Sequence, residues 1–108
     1  MAYDEKLAAR VRKILSQRRG VVEKTVMGRL AFMVNDSMCC SVGRDGILVR
    51  VTPKEREKVL ARAHVTPMTL GKRVMKGFVR VDPAGYRTDT ALATWIERGI
   101  AAASAARR

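Results

Sequence analysis

Apolar residues between positions 4 and 19 recur with the period of an α-helix. The apolar stripe consists of Leu7, Val11, Ile14 and Leu15. The opposite side carries Lys6, Arg10, Lys13 and Gln17. Asp4 stands at the start as a candidate N-cap, and Gly20 follows Arg18 and Arg19 as a candidate stop. The pattern predicts an amphipathic helix over residues 4–19, with its apolar side against a core.

From Val21 onwards the pattern changes to short runs rich in β-branched residues. Strands are predicted at residues 22–27, 30–34, 38–42 and 47–51. The breaks between them contain Gly28-Arg29, Asn35-Asp36-Ser37 and the turn from Gly43 to Gly46. Parallel neighbours need a crossover of a dozen or more residues, and there is no room for one here. The region therefore predicts an antiparallel meander.

The sequence pattern of the second half of the chain predicts two more helices, with additional strand structure between them. Thr52, Pro53 and Glu55 fit a capping box with proline in the first turn, which predicts a short helix over about residues 53–62. Residues 64–73 are predicted to be irregular, residues 74–81 to be strand and residues 82–85 to be a turn. Thr88 or Asp89 caps a last helix, and residues 104–108 are expected to fray. The apolar side of that helix holds Leu92, Trp95, Ile96, Gly99, Ile100 and Ala103.

This order of elements predicts an α+β fold: one helix, four strands, a helix, one or two strands and a helix. We expect an antiparallel sheet of about five strands with the helices packed on one face. Residues 1–108 form a single domain in this interpretation, since domains usually contain about 100–150 residues. In the second strand both Phe32 and Met33, on opposite faces, are apolar. Either that strand is central, or its second face contacts another subunit or a partner.

Composition is that of a soluble globular protein, with 47% hydrophobic and 30% charged residues. The first ten residues have an acidic start and no apolar segment, so we expect no secretory signal, and no membrane helix is expected. Cys39 and Cys40 are adjacent in an apolar strand, where neighbouring side chains point to opposite faces. We expect two free thiols, one buried and one more accessible, in a reducing cytoplasm.

The formal net charge of +12 indicates an anionic partner: nucleic acid, an anionic surface or an acidic protein. The alternative is that arginines simply cover solvated faces. The candidate anion or nucleic-acid contacts are Lys72, Arg73, Lys76, Arg10 and Lys13. Gly71-Lys72-Arg73 is not a nucleotide-binding loop, because Thr66 takes the place of the first glycine and Arg73 that of the Ser/Thr.

No pattern in the chain predicts catalysis. His64 is the only histidine and has no neighbouring nucleophile or carboxylate pattern, so we interpret it as an exposed loop residue. The two cysteines are interpreted as small apolar residues of a strand. Two cysteines and one histidine are fewer ligands than a structural zinc site needs. We expect no catalytic residue, metal or cofactor.

The run of residues from Met27 to Asn35, of sequence MGRLAFMVN, resembles the central motif of the TfoX/Sxy N-terminal domain family. Further matching positions cover most of the chain: Met38, 42–45, 48–51, Pro67-Met68, 71–73, 75–79, 81–82, and Leu92, Trp95 and Ile96. Asp36 and Arg29 depart from the pattern, since the family often has glycine at both positions. The resemblance implies an α+β domain with an antiparallel sheet in a secretion-chaperone-like arrangement.

The resemblance also implies a role in regulating bacterial competence genes, together with a catabolite-activator-type transcription factor. Full-length members carry a second, helical domain, and we expect this chain to consist of the first domain alone. The family motif contains no catalytic residue. We therefore predict a non-enzymatic binding module, an accessory of transcription regulation that acts through a protein partner such as the transcription machinery or a regulator. The alternative is direct, weakly sequence-specific binding of nucleic acid by the basic surface.

Overall fold

The computed structural model describes residues 3–106, which fold into an α+β domain. In chain order the elements are α1 (Glu5–Leu15), β1 (Val21–Val26), β2 (Arg29–Val34), β3 (Ser37–Val42), β4 (Ile47–Arg50), α2 (Arg56–Leu60), β5 (Val65–Leu70), β6 (Arg73–Val81), a 3-10 turn (Pro83–Tyr86) and α3 (Asp89–Ala106). The predicted class and order are confirmed. The described residues form six strands instead of about five.

Helix α1 begins as predicted and ends earlier than predicted. The Asp4 carboxylate accepts hydrogen bonds from the backbone N–H groups of Lys6 (2.9 Å) and Leu7 (3.2 Å), as an N-cap should. The helix ends at Leu15 and not at residue 19. The Ser16 hydroxyl donates to the Lys13 carbonyl (2.8 Å), and such local serine bonds compete with the helical ladder. Gly20, with φ +77°, leads into β1 instead of closing the helix.

Two tight turns move the predicted strand ends by one residue. Met27 and Gly28 both have positive φ (52° and 79°), as do Asn35 and Asp36 (50° and 70°). Two consecutive positive φ angles are the signature of the two-residue turn that joins twisted antiparallel strands. Met27 therefore belongs to a turn, and β2 and β3 each begin one residue earlier than predicted.

Helix α2 is shorter than predicted, although its capping box is present. The Thr52 hydroxyl accepts from the Glu55 N–H (3.3 Å), and the Glu55 carboxylate accepts from the Thr52 N–H (3.5 Å). This reciprocal pair holds residues 53–55 in turns, and the helix itself covers Arg56–Leu60. The chain then passes through His64, which is in the left-handed region with φ +68°, and enters β5 at Val65.

The prediction that residues 64–73 are irregular is wrong. Val65–Leu70 forms β5, which pairs antiparallel with β6 at the edge of the sheet. Pro67 lacks an N–H donor, and the register shifts between Pro67 and Thr69. Proline and a register shift are tolerated at a sheet edge, and both hide a strand from pattern analysis.

Helix α3 is capped by Thr88, whose hydroxyl accepts from the Ala91 N–H (3.0 Å). The helix continues to Ala106. The prediction that residues 104–106 fray is therefore wrong. The alanine-rich end of the helix has high helix propensity. Residues 107–108 lie outside the described part of the chain.

The strands form one antiparallel sheet in the order β1-β2-β3-β4-β6-β5. Helix α3 lies across β3 and β4, α1 packs beside α3, and α2 packs against β5 and β6. The buried side chains of these helices share one core with the strands, which confirms the predicted packing of both apolar stripes. The row of register partners on this helix-covered face consists of Glu23, Phe32, Cys40, Val49 and Val79. The opposite face is called the open face below.

Candidate functional site

The centre of the open face is covered by arginine side chains. Its middle row of register partners consists of Lys24, Ala31, Ser41, Leu48, Arg80 and Thr66. Arg29 donates to the Ser41 hydroxyl and to the Ser41 carbonyl, both at 3.0 Å. Burial, followed by the positive charge of Arg80, lowers the pKa of Arg29, and the guanidinium still keeps its proton. The arginines complete the sheet surface, since Ser41 and Leu48 between them are buried.

A second part of the open face is closed by Arg50 and Phe78. The Arg50 guanidinium carbon lies 4.8 Å from the centre of the Phe78 ring, and its Nε donates to the Met38 carbonyl (2.6 Å). Phe78 is half-buried beneath this cation. One face of the ring is therefore occupied by Arg50 in this arrangement.

The edge strand β1 is the most exposed apolar element of the described chain. Val22 is 50% exposed, Val26 44% and Met27, in the following turn, 79%. Strand β1 pairs with β2 in an unbroken register from Val21 to Val26, and nothing in residues 3–106 pairs with its outer side. We call the outer side of β1 together with Met27 the β1 edge. Its backbone N–H and C=O groups can pair with another strand.

The two charged side chains of β1, Glu23 and Lys24, differ in whether they are already paired. Glu23 is held by Arg12 of α1 in two parallel hydrogen bonds of 2.8 and 2.9 Å, which lower the pKa of the Glu23 carboxyl. Lys24, on the other face of the strand, makes no ion pair among the described residues. The free charge of the β1 edge is therefore positive.

The other edge of the sheet, unlike the β1 edge, is protected against the pairing of a further strand. Strand β5 contains Pro67 and a register shift, two devices that prevent a further strand from pairing. Leu70 and Val74 are exposed there, in the hairpin between β5 and β6. The contrast leaves β1 as the regular, open edge of this sheet.

The structure separates the five basic residues predicted as anion contacts. Arg10 donates to the carbonyls of Tyr86 (2.8 Å) and Arg87 (3.3 Å) and forms an ion pair with Asp89 (3.3 Å). Its guanidinium therefore joins α1 to the start of α3. Lys13 is exposed and lines an open groove between these helices, together with Ile14, Thr90 and Ala93.

Lys72, Arg73 and Lys76 are exposed in the β5–β6 hairpin, at the opposite end of the sheet from β1. Arg10 and Lys13 therefore lie on α1 beside the start of α3, and the other three cations lie on the hairpin at the β5–β6 edge of the sheet. Lys76 instead lies beside Lys54 and Arg56, which line a cleft with it and which the sequence analysis did not name. The excess of lysine and arginine between residues 51 and 76 was the available signal.

His64 and the two cysteines lie in different segments of the fold. His64 is exposed in the connection between α2 and β5, as predicted. Cys39 and Cys40 are both completely buried, so the prediction of one accessible thiol is wrong. The β2–β3 register shifts after Phe32, which pairs with Cys40, to Met33, which pairs with Met38. Cys39 is thus the extra residue of a bulge, where side chains no longer alternate strictly.

The two sulfur atoms are 3.7 Å apart and both thiols are free. The hydrogen bond between them lowers the pKa of the Cys39 thiol and, together with burial, raises that of Cys40 well above its ordinary value. No group of three or more His, Cys, Asp or Glu residues within 3–106 is arranged to hold a metal ion. No helix of that part of the chain is long and apolar enough to cross a membrane.

Comparison with known protein families gives one finding. The family described as the TfoX N-terminal domain matches residues 13–103, which is most of the chain. Neither the curated proteins nor the solved structures contain a significant match.

Proposed function

The chain belongs to the TfoX N-terminal domain family, and on that basis we propose that it is a non-enzymatic binding module. In this proposal it is an accessory of bacterial transcription regulation, related to competence, and it works in the cytoplasm by holding a protein partner. The observation that carries the proposal is the β1 edge, a regular and unprotected sheet edge with exposed Val22, Val26 and Met27.

We propose that the partner adds a strand to β1. An added strand hydrogen-bonds to the free backbone groups of the edge, which provides affinity, and its alternate side chains contact those of β1, which provides specificity. On the open face the contacts are Val22, Lys24 and Val26, which alternate apolar, basic and apolar. A complementary segment therefore carries an acidic residue between two apolar ones.

Charge favours an acidic segment over a second copy of this chain. When two copies of β1 pair antiparallel about a two-fold axis, directly opposite residues lie on the same face of the sheet. Such a pairing is therefore centred on one residue, which lies opposite its own copy. The two registers nearest to full overlap place Glu23 against its copy or Lys24 against its copy. Like charges directly opposite one another destabilise a sheet, and two molecules of net charge +12 also repel at long range. An acidic partner is attracted by the same charge.

The proposal is tested with isotope-labelled protein and a six-residue peptide of alternating valine and glutamate, which matches the length of β1. We expect the amide signals of β1 to shift and their hydrogen exchange to slow. Val22→Glu should weaken binding by about tenfold or more, because it places a carboxylate beside the acidic side chain of the peptide.

Val74→Glu is the matched control. It makes the same chemical change at a valine of similar exposure, 46% against 50%, near the opposite edge of the sheet. It should leave binding unchanged. Equal weakening by both variants, equal binding of an alternating valine–lysine peptide, or a stable dimer that Val22→Glu dissociates would contradict the acidic-strand proposal.

A second candidate function is direct nucleic-acid binding. It is supported by Lys72, Arg73 and Lys76, which are exposed and make no ion pair in the described part of the chain. Phosphate contacts from such residues give affinity without sequence specificity. The salt dependence of binding to duplex DNA separates this candidate from the first.

A further inference from the structure

A basic cleft lies between the turns before α2 and the middle of β6. It has a volume of about 420 Å³ and is lined by Pro53, Lys54, Arg56, Glu57, Lys76 and Gly77. Three of these residues are cations and one is a carboxylate. The cleft is distinct from the β1 edge, because β5 and β6 end the sheet on the side opposite to β1.

The cations of this cleft have unused donors. Lys54, Arg56 and Lys76 make no ion pair within residues 3–106, whereas Arg10, Arg12, Arg18 and Arg80 elsewhere each have a carboxylate. The Nε atom of Arg56 is buried and has no hydrogen-bond acceptor within residues 3–106. A buried donor without an acceptor is costly, so a side-chain rotation that gives Nε an acceptor in the cleft lowers the free energy.

Both walls of the cleft are fixed by hydrogen bonds. The Thr52–Glu55 capping box holds the turn that carries Lys54 and precedes Arg56. The Gly77 carbonyl accepts from the Val51 N–H (2.9 Å), which ties β6 to the end of β4. A Cβ atom at Gly77 would meet no atom of residues 3–106 within 4 Å, so this wall stands open to an incoming group.

We propose that this cleft binds a phosphate group. A phosphate carries about −1.5 to −2 charges and three acceptor oxygens, so it satisfies several cations together, as a single carboxylate would not. Arg56 supplies the planar fork of donors that matches two oxygens, with a rotation of its side chain bringing Nε to the ligand. Lys54 and Lys76 supply the charge on the two walls. Glu57 opposes binding and limits the affinity. The site is independent of strand addition at β1.

The first test is titration of the whole protein with inorganic phosphate at constant ionic strength, followed by the amide signals of residues 54–57 and 76–77. We expect saturable shifts in wild type and a loss of affinity of about tenfold or more in Arg56→Gln. Arg56→Lys keeps the charge and removes the fork, so it should also weaken binding. Glu57→Gln should tighten binding. Circular dichroism and thermal melting establish that each variant is folded.

Arg19→Gln is the matched control, because it makes the same chemical change at an exposed arginine between α1 and β1, outside the cleft lining. It should leave phosphate affinity nearly unchanged. Shifts that do not saturate, or an Arg56→Gln effect no larger than that of Arg19→Gln, would overturn the site.

A second arm distinguishes the sources of the phosphate group. Wild type and Arg56→Gln are titrated with a short duplex of arbitrary sequence. If Arg56→Gln abolishes phosphate binding and weakens duplex binding in parallel, the cleft holds a backbone phosphate. If it abolishes only phosphate binding, the cleft serves a small phosphorylated molecule. Either result supports the phosphate site.

Discussion

Gly99 in the middle of α3 lies directly against the backbone carbonyl of Cys39 in β3. A Cβ atom at position 99 would overlap that carbonyl oxygen and would also approach the Val49 side chain to 3.4 Å. The backbone of Cys39 has little room to retreat, because β3 is held between β2 and β4, which pair with it on both sides. This close contact of helix and sheet therefore requires a residue without a side chain.

Gly99→Ala should lower the free energy of unfolding by about 1–3 kcal/mol, the usual cost of overpacking a core. The overlap outweighs the gain of about 1 kcal/mol that alanine gives in a helix interior. Urea unfolding measures the change. Gly77→Ala is the control, because its Cβ meets no neighbour within 4 Å in the described part of the chain, and it should leave stability unchanged or slightly higher. A neutral Gly99→Ala would mean that α3 lies farther from β3.

Trp95→Ala should lower the free energy of unfolding by about 3–5 kcal/mol, because Trp95 is a large aromatic residue buried in the core. Its indole N–H also donates to the Gly85 carbonyl at 3.1 Å. Trp95→Phe should lose less, since it keeps much of the buried area and removes mainly that hydrogen bond. Denaturant melts of both variants give the values. A loss below about 1 kcal/mol for Trp95→Ala would contradict its place in the core.

Neither Cys39 nor Cys40 should react with a thiol reagent in the native protein, because both side chains are completely buried. In denaturant without reductant both should react, since both are free thiols. Two equivalents of thiol on unfolding, and none before it, is the expected titration. Rapid native reaction of one cysteine would show that the bulge opens, and a need for reductant would show a disulfide.

Removal of the Arg12–Glu23 pair should change how the stability of the fold declines as the pH is lowered. The hydrogen bonds from Arg12 lower the pKa of Glu23 in the folded protein. The pair therefore stabilises the fold above the ordinary carboxyl pKa, and this contribution is lost as the pH falls through the lowered pKa. Glu23→Gln should have a lower Tm than wild type at neutral pH and a shallower decline toward acid.

The effect of Glu23→Gln should be small and should shrink with added salt, because both side chains are partly exposed. Glu5→Gln removes a carboxylate of α1 that has no ion pair within residues 3–106, and it serves as the control. Parallel Tm profiles of Glu23→Gln and wild type across the acid range would contradict the coupling.

If nucleic acid is a partner, the log of the binding constant should fall with log salt by about 0.9 per phosphate contact on duplex DNA. Replacing Lys72, Arg73 and Lys76 with alanine should then flatten the slope by about three contacts and weaken binding equally for all sequences. The control replaces Lys6, Arg19 and Lys24, which are equally charged and exposed elsewhere. An unchanged slope in the hairpin variant eliminates the hairpin as a nucleic-acid site.

Much of the fold was predictable because its signals are local. The Asp4 cap, the Thr52–Glu55 capping box and the two apolar stripes depend on residues within one or two helical turns of each other. The predicted β1 to β4 meander is correct to within one residue at each end, because tight turns carry their own sequence signature. Strand β5 was missed because Pro67 and the neighbouring bulge erase the alternation that identifies a strand.

The candidate sites were less predictable, because charge acquires its role from distant residues. The sequence alone determined the α+β class, the order of elements apart from β5, most of the core residues and the strongly basic composition. Only the tertiary structure decided that Arg10 is bound to Tyr86 and Asp89, whereas Arg56 and Lys76 face a common cleft. It also decided that β1 is the open edge and that Cys39 and Cys40 are buried together. Periodicity and capping act over a few residues, while strand order and register bring together groups that are far apart in the chain.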